Sequence, residues 1–237
     1  MIPLRDDVPS RTYPIVNVLL ILVNVLVFLF EVSLGDGLEG FISAYALIPA
    51  RFTDGGAAYL PLDPGAYLPV LASMFLHGGI MHVGGNMLYL WVFGDNVEDR
   101  LGHLGYLFFY LACGVLAALT HVEVDPTSEI PMVGASGAIA GVLGAYMILY
   151  PRGRVLTLIP IIIIPWFVQI PAVFFLGVWF LGQVWSGGMY LHASEAARGG
   201  VAVMAHVGGF IAGVALCLLL KKPERPLLAP RSYWLHD

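Results

Sequence analysis

Charged residues fall in clusters along this chain, and the uncharged runs between them set its architecture. A polar lead carries Arg5, Asp6, Asp7 and Arg11, and residues 12–30 then hold no charge. That is about the length that crosses a bilayer as a helix. It predicts a first helix over 14–33, which reads as retained rather than as a signal peptide because no small-residue cleavage site follows. Asn17 and Asn24 lie seven apart on one face, as an interhelical hydrogen-bonding pair would. Residues 64–94 contain no Asp, Glu, Lys or Arg and predict a second helix over 68–93. Further helices are expected over 104–121 and 135–150. From 155 to 194 no charge occurs, but Pro160, Pro165 and Pro171 interrupt the first part. Residues 155–164 are therefore expected to be extended or interfacial, followed by a fifth helix over 167–186 and a sixth over 201–220. A long Gly/Pro/Asp loop with an amphipathic patch at 41–52 fills 35–66, a Gly-bounded loop spans 187–200, and a basic, Pro-rich tail follows from Lys221. The predicted fold is all-α: a single polytopic membrane domain over 1–237 with six transmembrane helices, ending in a short tail over 221–237.

Composition supports the membrane reading. Of the 237 residues, 59% are hydrophobic and 11% charged, and the mean hydropathy is +0.83. Soluble domains are about 45–50% apolar and about 25% charged. The net charge of −5 says little, because in membrane proteins the placement of Lys and Arg carries the information. With six helices both termini share a side. If that side is the cytoplasm, Arg5, Arg11, Arg100, Arg152, Arg154, Lys221, Lys222, Arg225 and Arg231 are inside, and only Arg51 and Arg198 are outside. The opposite orientation would invert this bias. The lipid bilayer is thus one expected partner, while no basic face points to nucleic acid. Cys113 and Cys217 sit inside apolar runs and read as buried free thiols. No metal-ligand spacing occurs, and no cofactor is expected.

In this topology the second, fourth and sixth helices all run from outside to inside. Ser136 opens the fourth, His206 lies early in the sixth, and His82 and Asn86 share a face of the second. All four fall in the outer half of the membrane. Taken singly, Ser136 among Gly134, Gly137, Gly141 and Gly144 is a packing residue, and Asn86 is interhelical glue. His77, beside Gly78 and Gly79, reads as a local hydrogen-bonding residue. Taken together they suit acyl transfer: a serine hydroxyl needs a base, histidine is the usual one, and a developing oxyanion needs fixed donors. The start of a helix adds free backbone N–H groups and a positive dipole end. His206, Gly209 and Gly213 share one helix face, and Gly137, Gly141 and Gly144 share another, so the two helices could approach closely enough for Ser136 and His206 to meet. No acidic residue is expected in an apolar span, so these residues allow a Ser–His dyad without a third member.

The run Gly134-Ala-Ser136-Gly-Ala, with Ala205-His206-Val-Gly-Gly209 downstream and His82-Val-Gly-Gly-Asn86 upstream, resembles the rhomboid intramembrane serine proteases. The resemblance extends in motif order and helix count from the first helix to Leu220. It implies a six-helix rhomboid-like bundle that cleaves single-span transmembrane proteins near the outer face of a membrane, expected to be the bacterial plasma membrane. It also implies Ser136 as nucleophile and His206 as base. His82, Asn86 and the Ser136 N–H would form the oxyanion hole, Gly134 and Gly137 would frame the serine, and Gly209 and Gly213 would belong to the close helix contact. Substrate would enter between the second and fifth helices, where Phe167, Phe174, Phe175 and Trp179 fit a lipid-facing or gating surface, under a cap formed by 187–200. Two departures stand out. The loop 35–66 lacks the Trp-Arg pair that some members carry, and Ala140 stands where others have a tyrosine against the catalytic histidine. The alternatives are a catalytically silent relative that captures and escorts membrane proteins, and a small transporter. The presence of both Ser136 and His206 weighs against the first. The lack of an internal repeat weighs against the second.

Overall fold

The structure is a computed structural model and describes residues 1–53, 64–161, 164–192 and 202–221. Among these the chain forms β1 (Ile2–Asp6), α1 (Ile15–Ser33), α2 (Leu38–Tyr45), α3 (Pro49–Phe52), α4 (Leu68–Ala72), α5 (Ile80–Leu101), α6 (His103–Val124), α7 (Ser136–Leu149), β2 (Arg154–Ile161), β3 (Ile164–Pro171), α8 (Ala172–His192) and α9 (Val203–Leu220). The protein is mostly helical. Four helices, α1, α6, α8 and α9, are long and apolar enough to cross a membrane. A fifth candidate span is a bent pair meeting at 89°, made of α5 and the segment Leu68–Phe75 before it. The apolar helix α7 is shorter, at 14 residues.

The predicted second helix over 68–93 is corrected at both ends. The apolar run is continuous, but Leu76 is extended and Gly79 has φ +154°, so helix geometry breaks ahead of Ile80. At the other end α5 continues through Asp95, Glu98 and Asp99, because each acid has a partner. Asp95 accepts from Ser10 and Asp99 from Thr12. Glu98, fully buried, accepts from the backbone N–H groups of Val16 and Asn17 at 3.0 and 2.8 Å. Its carboxylate thereby caps the N-terminus of α1, whose own cap position is Pro14. Asn17 does bridge helices, donating to the Leu90 carbonyl and accepting from Tyr106, whereas Asn24 donates back to Leu20 in its own helix.

The fold is not all-α. A three-stranded antiparallel sheet in the order β1-β2-β3 sits at one end of the bundle. The expected extended segment is the hairpin β2–β3, with Arg154 opposite Pro171 and Ile161 opposite Ile164. The polar lead supplies β1, with Ile2 opposite Leu158 and Asp6 opposite Val155. Residues 167–171 belong to this hairpin, so the fifth helix begins at Ala172 and runs through Gly187 and Gly188 to His192.

The helix at the centre is α7, buried at every residue from Gly137 to Tyr146. Its small residues permit close approach, which matters where lipid gives no hydrophobic drive between helices. A Cβ on Gly209 would strike the Gly137 carbonyl oxygen, and one on Gly213 the Gly141 carbonyl oxygen. On another side, a Cβ on Gly137 would lie 2.7 Å from that of Ala117 on α6. Tyr146 donates to Asp6, tying the end of α7 to β1, and Asn96 of α5 donates to the Val8 carbonyl. Both helices therefore run toward the sheet, leaving Ser136 and His82 at the opposite end.

Candidate active site

Ser136 is the first residue of α7, and its approach is fixed by two backbone hydrogen bonds and one glycine conformation. The Met132 N–H bonds to the Leu47 carbonyl at 2.7 Å, and the Gly134 N–H bonds to the Ser73 carbonyl at 2.8 Å. Gly134 has φ +125°, a conformation that side chains rarely adopt, and a Cβ there would lie 2.7 Å from His82 Nε2. The helical ladder begins with the Ile139 N–H on the Ala135 carbonyl at 3.0 Å. The N–H groups of Ser136, Gly137 and Ala138 lie ahead of that ladder, at the positive end of the helix.

The glycine faces bring α9 against α7, and His206 Nε2 stands 2.8 Å from Ser136 Oγ. The other ring nitrogen, Nδ1, is 2.8 Å from Gln183 Oε1 on α8. Trp179, one turn before Gln183, lies beside the same imidazole with ring centroids 5.9 Å apart and also stacks on Phe210 at 6.1 Å.

On the other side of the serine, α5 presents His82 and Asn86. The Gly78 N–H donates to His82 Nδ1 at 3.4 Å, which in a neutral ring leaves the proton on Nε2, the atom beside Gly134. The same added Cβ would be 3.6 Å from Ser136 Oγ, so that N–H and the hydroxyl flank one point. Asn86 is buried, its Nδ2 3.0 Å from His77 Nε2. His77 Nδ1 donates to the Phe75 carbonyl at 3.2 Å, so Nε2 is the acceptor and takes one of the two Asn86 amide hydrogens. The backbone N–H of His77 is held in turn by both oxygens of Glu31 at 3.2 Å. His77 is thus the partner that orients Asn86. The described residues contain no group of three His, Cys, Asp or Glu side chains placed to hold a metal ion.

Sequence reasoning did not anticipate four of these neighbours. Glu31 is 1% exposed inside α1, contrary to the expectation that the spans lack acids, although the helix predicted over 14–33 contains it. His77, expected to bond only locally, also reaches Asn86. Gln183 carried no reading in the sequence, and Trp179, expected on a lipid-facing or gating surface, stands beside His206 instead. The predicted aromatic surface also divides. Phe174 is exposed, and Phe167 is exposed on β3, but Phe175 is buried against Phe93 and Tyr89, and Trp179 faces the histidine. Of the expected cap over 187–200, residues 193–200 lie outside the described residues.

A model of the rhomboid domain matches residues 64–223. The chain belongs to the rhomboid family. Among its relatives are Rhomboid protein 1, mitochondrial, of Saccharomyces cerevisiae, 31% identical over 93 residues (38% of this chain, 27% of the relative). The Presenilin-associated rhomboid-like protein, mitochondrial, of Homo sapiens is 36% identical over 101 residues (42% and 26%). The Rhomboid protease GluP of Bacillus subtilis is 39% identical over 83 residues (35% and 16%). The matched region is thus 27% of the first relative, 26% of the second and 16% of the third.

The two departures from the rhomboid pattern have structural counterparts. In the segment after α1 Arg51 donates to the Ser43 carbonyl at 2.7 Å, and Phe41 packs edge-on against Phe30 at 5.5 Å, anchoring the segment to α1. Ala140 is fully buried in α7, and the aromatic beside His206 comes from α8 as Trp179.

Proposed function

We propose that the protein is an intramembrane serine endopeptidase that cleaves single-span transmembrane proteins near the outer face of the membrane. The observation that carries this reading is the 2.8 Å contact between Ser136 Oγ and His206 Nε2. In this mechanism Nε2 takes the Oγ proton as Oγ attacks the scissile carbonyl carbon. The resulting oxyanion is met by the Nε2–H of His82, the free amide hydrogen of Asn86 and the backbone N–H of Ser136. The imidazolium then protonates the leaving amine, giving an acyl-enzyme. Water attacks that ester with His206 again as base, and Ser136 is regenerated.

Six spans fit this reading: α1, the bent α4–α5 pair, α6, the short α7, α8 and α9, within a single domain over 1–237. Both termini are cytoplasmic, in agreement with the Lys/Arg bias, and the plasma membrane of a bacterium is the setting. The sheet then lies at the cytoplasmic end and Ser136 toward the outside. A short α7 suits this arrangement, because it lets the serine sit below the membrane surface at the end of a helix enclosed by its neighbours.

Labelling with a fluorophosphonate serine probe tests the dyad without knowledge of the substrate. Wild type should label, and both Ser136→Ala and His206→Ala should not. Equal labelling of Ser136→Ala and wild type would overturn the proposal, and an unlabelled, folded wild type that still captures membrane proteins would favour the silent-escort alternative.

A further inference from the structure

We propose that Gln183 of α8 is a positioning residue for His206, holding its proton on Nδ1 and completing the site where no carboxylate among the described residues does so. The inference rests on the reading of Ser136 and His206 as a dyad. For Nε2 to accept the serine proton it must be the unprotonated nitrogen, so the neutral ring carries its hydrogen on Nδ1. An N–H inside an apolar bundle needs an acceptor. The atom at Nδ1 is Gln183 Oε1, 2.8 Å away. Only the carbonyl end of the amide can serve this tautomer, so the two hydrogen bonds of the ring specify each other.

The same contact gains strength during the reaction. When His206 takes the Ser136 proton both ring nitrogens carry hydrogen, and the Nδ1–H bond to Oε1 becomes charge-assisted in a medium of low dielectric. A neutral amide stabilises this cation less than a carboxylate would, and it does so without burying an anion in the span. Trp179 adds a steric restraint. It lies on the same face of α8, against the ring and against Phe210, and blocks rotation of the imidazole away from Ser136.

The surroundings argue against Gln183 as incidental polarity. Its helix is apolar, and its neighbours Leu181, Val184 and Trp185 are exposed hydrophobics. Gln183 is the polar side chain that α8 turns to the histidine. Among the described residues, the other titratable side chains within electrostatic reach of the ring are His82 on α5 and His121 on α6. Because Trp179 and Gln183 belong to one helix, moving α8 away from α9 removes both restraints together.

The experiment uses the full chain in detergent micelles. It measures the rate of fluorophosphonate inactivation against pH, together with kcat and KM for a reporter transmembrane substrate, in wild type, Gln183→Met and Gln183→Glu. Gln183→Met keeps length and loses the acceptor. Its inactivation rate and kcat should fall about 10- to 100-fold with KM unchanged, the range seen when the outer partner of a ligating histidine is removed. Gln183→Glu keeps the acceptor, so it should retain the activity that Met loses and move the acid limb of the pH profile upward, because a carboxylate favours the imidazolium. Unchanged rates in Gln183→Met would overturn the proposal. So would equal losses in both variants with the wild-type pH profile, the signature of a packing role. If Gln183→Met fails to fold, the pH shift of Gln183→Glu decides alone. Failure of the dyad itself is read separately, as undiminished labelling of Ser136→Ala.

Discussion

Two helices, α7 and α8, contact His206 and its helix, and they do so by different means. The α7–α9 contact is backbone against backbone: Gly209 and Gly213 lie on the carbonyl oxygens of Gly137 and Gly141, with no side chain between them. The α8 contact is made by two long side chains, Trp179 and Gln183, reaching from a helix whose far face is exposed. A glycine interface has no rotamers with which to adapt, so it sets the distance between Ser136 and His206 rigidly. A contact through a tryptophan and a glutamine can be made or lost by small movements of one helix. The comparison separates what brings the two residues together from what orients one of them.

The largest effect should come from breaking the rigid side. Gly213→Ala puts a Cβ onto the Gly141 carbonyl, and backbone cannot swing aside as a side chain can. Separating the helices should cost about 1–3 kcal/mol, as overpacking does. Thermal unfolding in detergent should show a clearly lowered midpoint, and probe labelling should fall with it. Preserved stability and labelling would mean that the interface gives way more easily than its geometry implies.

An intermediate effect should come from the adjustable side. Trp179→Ala removes the ring beside His206 and leaves α7 and α9 in contact. Cleavage of a reporter substrate should fall by about tenfold, within the range of side-chain positioning effects, while the unfolding midpoint changes much less than in Gly213→Ala. If the two variants lose stability equally, α8 is as structural as α9 and the contrast disappears.

The smallest effect concerns the far end of α7, where Tyr146 donates to Asp6 of β1. Burial raises the Asp6 carboxyl from 3.8 to about 6, an effect that the Tyr146 hydrogen bond only partly offsets. The folded state therefore holds a proton that the unfolded state releases within that window. Its contribution to stability is complete below the lower value and is lost as pH rises through about 6. Asp6→Asn keeps a carbonyl acceptor for Tyr146 and does not titrate. Its unfolding midpoint should match or exceed that of wild type near neutral pH, and the gap should close on acidification. A gap independent of pH would show that Asp6 does not titrate in this window.

Hydropathy made the course of the chain legible before any coordinates: uncharged runs of spanning length mark α1, α6 and α9 within a few residues, and glycine periodicity marks the faces where α7 meets α9. These features are local, because a helix in lipid must satisfy its own backbone and small residues must line any close contact. The sequence by itself thus determined which segments are apolar helices, which face of α7 and α9 is narrow, and where Ser136 lies at a helix start. It did not determine the break ahead of Ile80, since an apolar run reads the same whether straight or bent through 89°. Nor did it reveal β1, whose pairing with β2 is set by partners about 150 residues away in the chain. The settings of Glu31, His77, Trp179 and Gln183 were decided only by the tertiary structure. His77 lies in the break ahead of Ile80, while the other three depend on the rotation of a helix about its own axis, and on an apolar helix without a polar face only the packing of its neighbours fixes that angle.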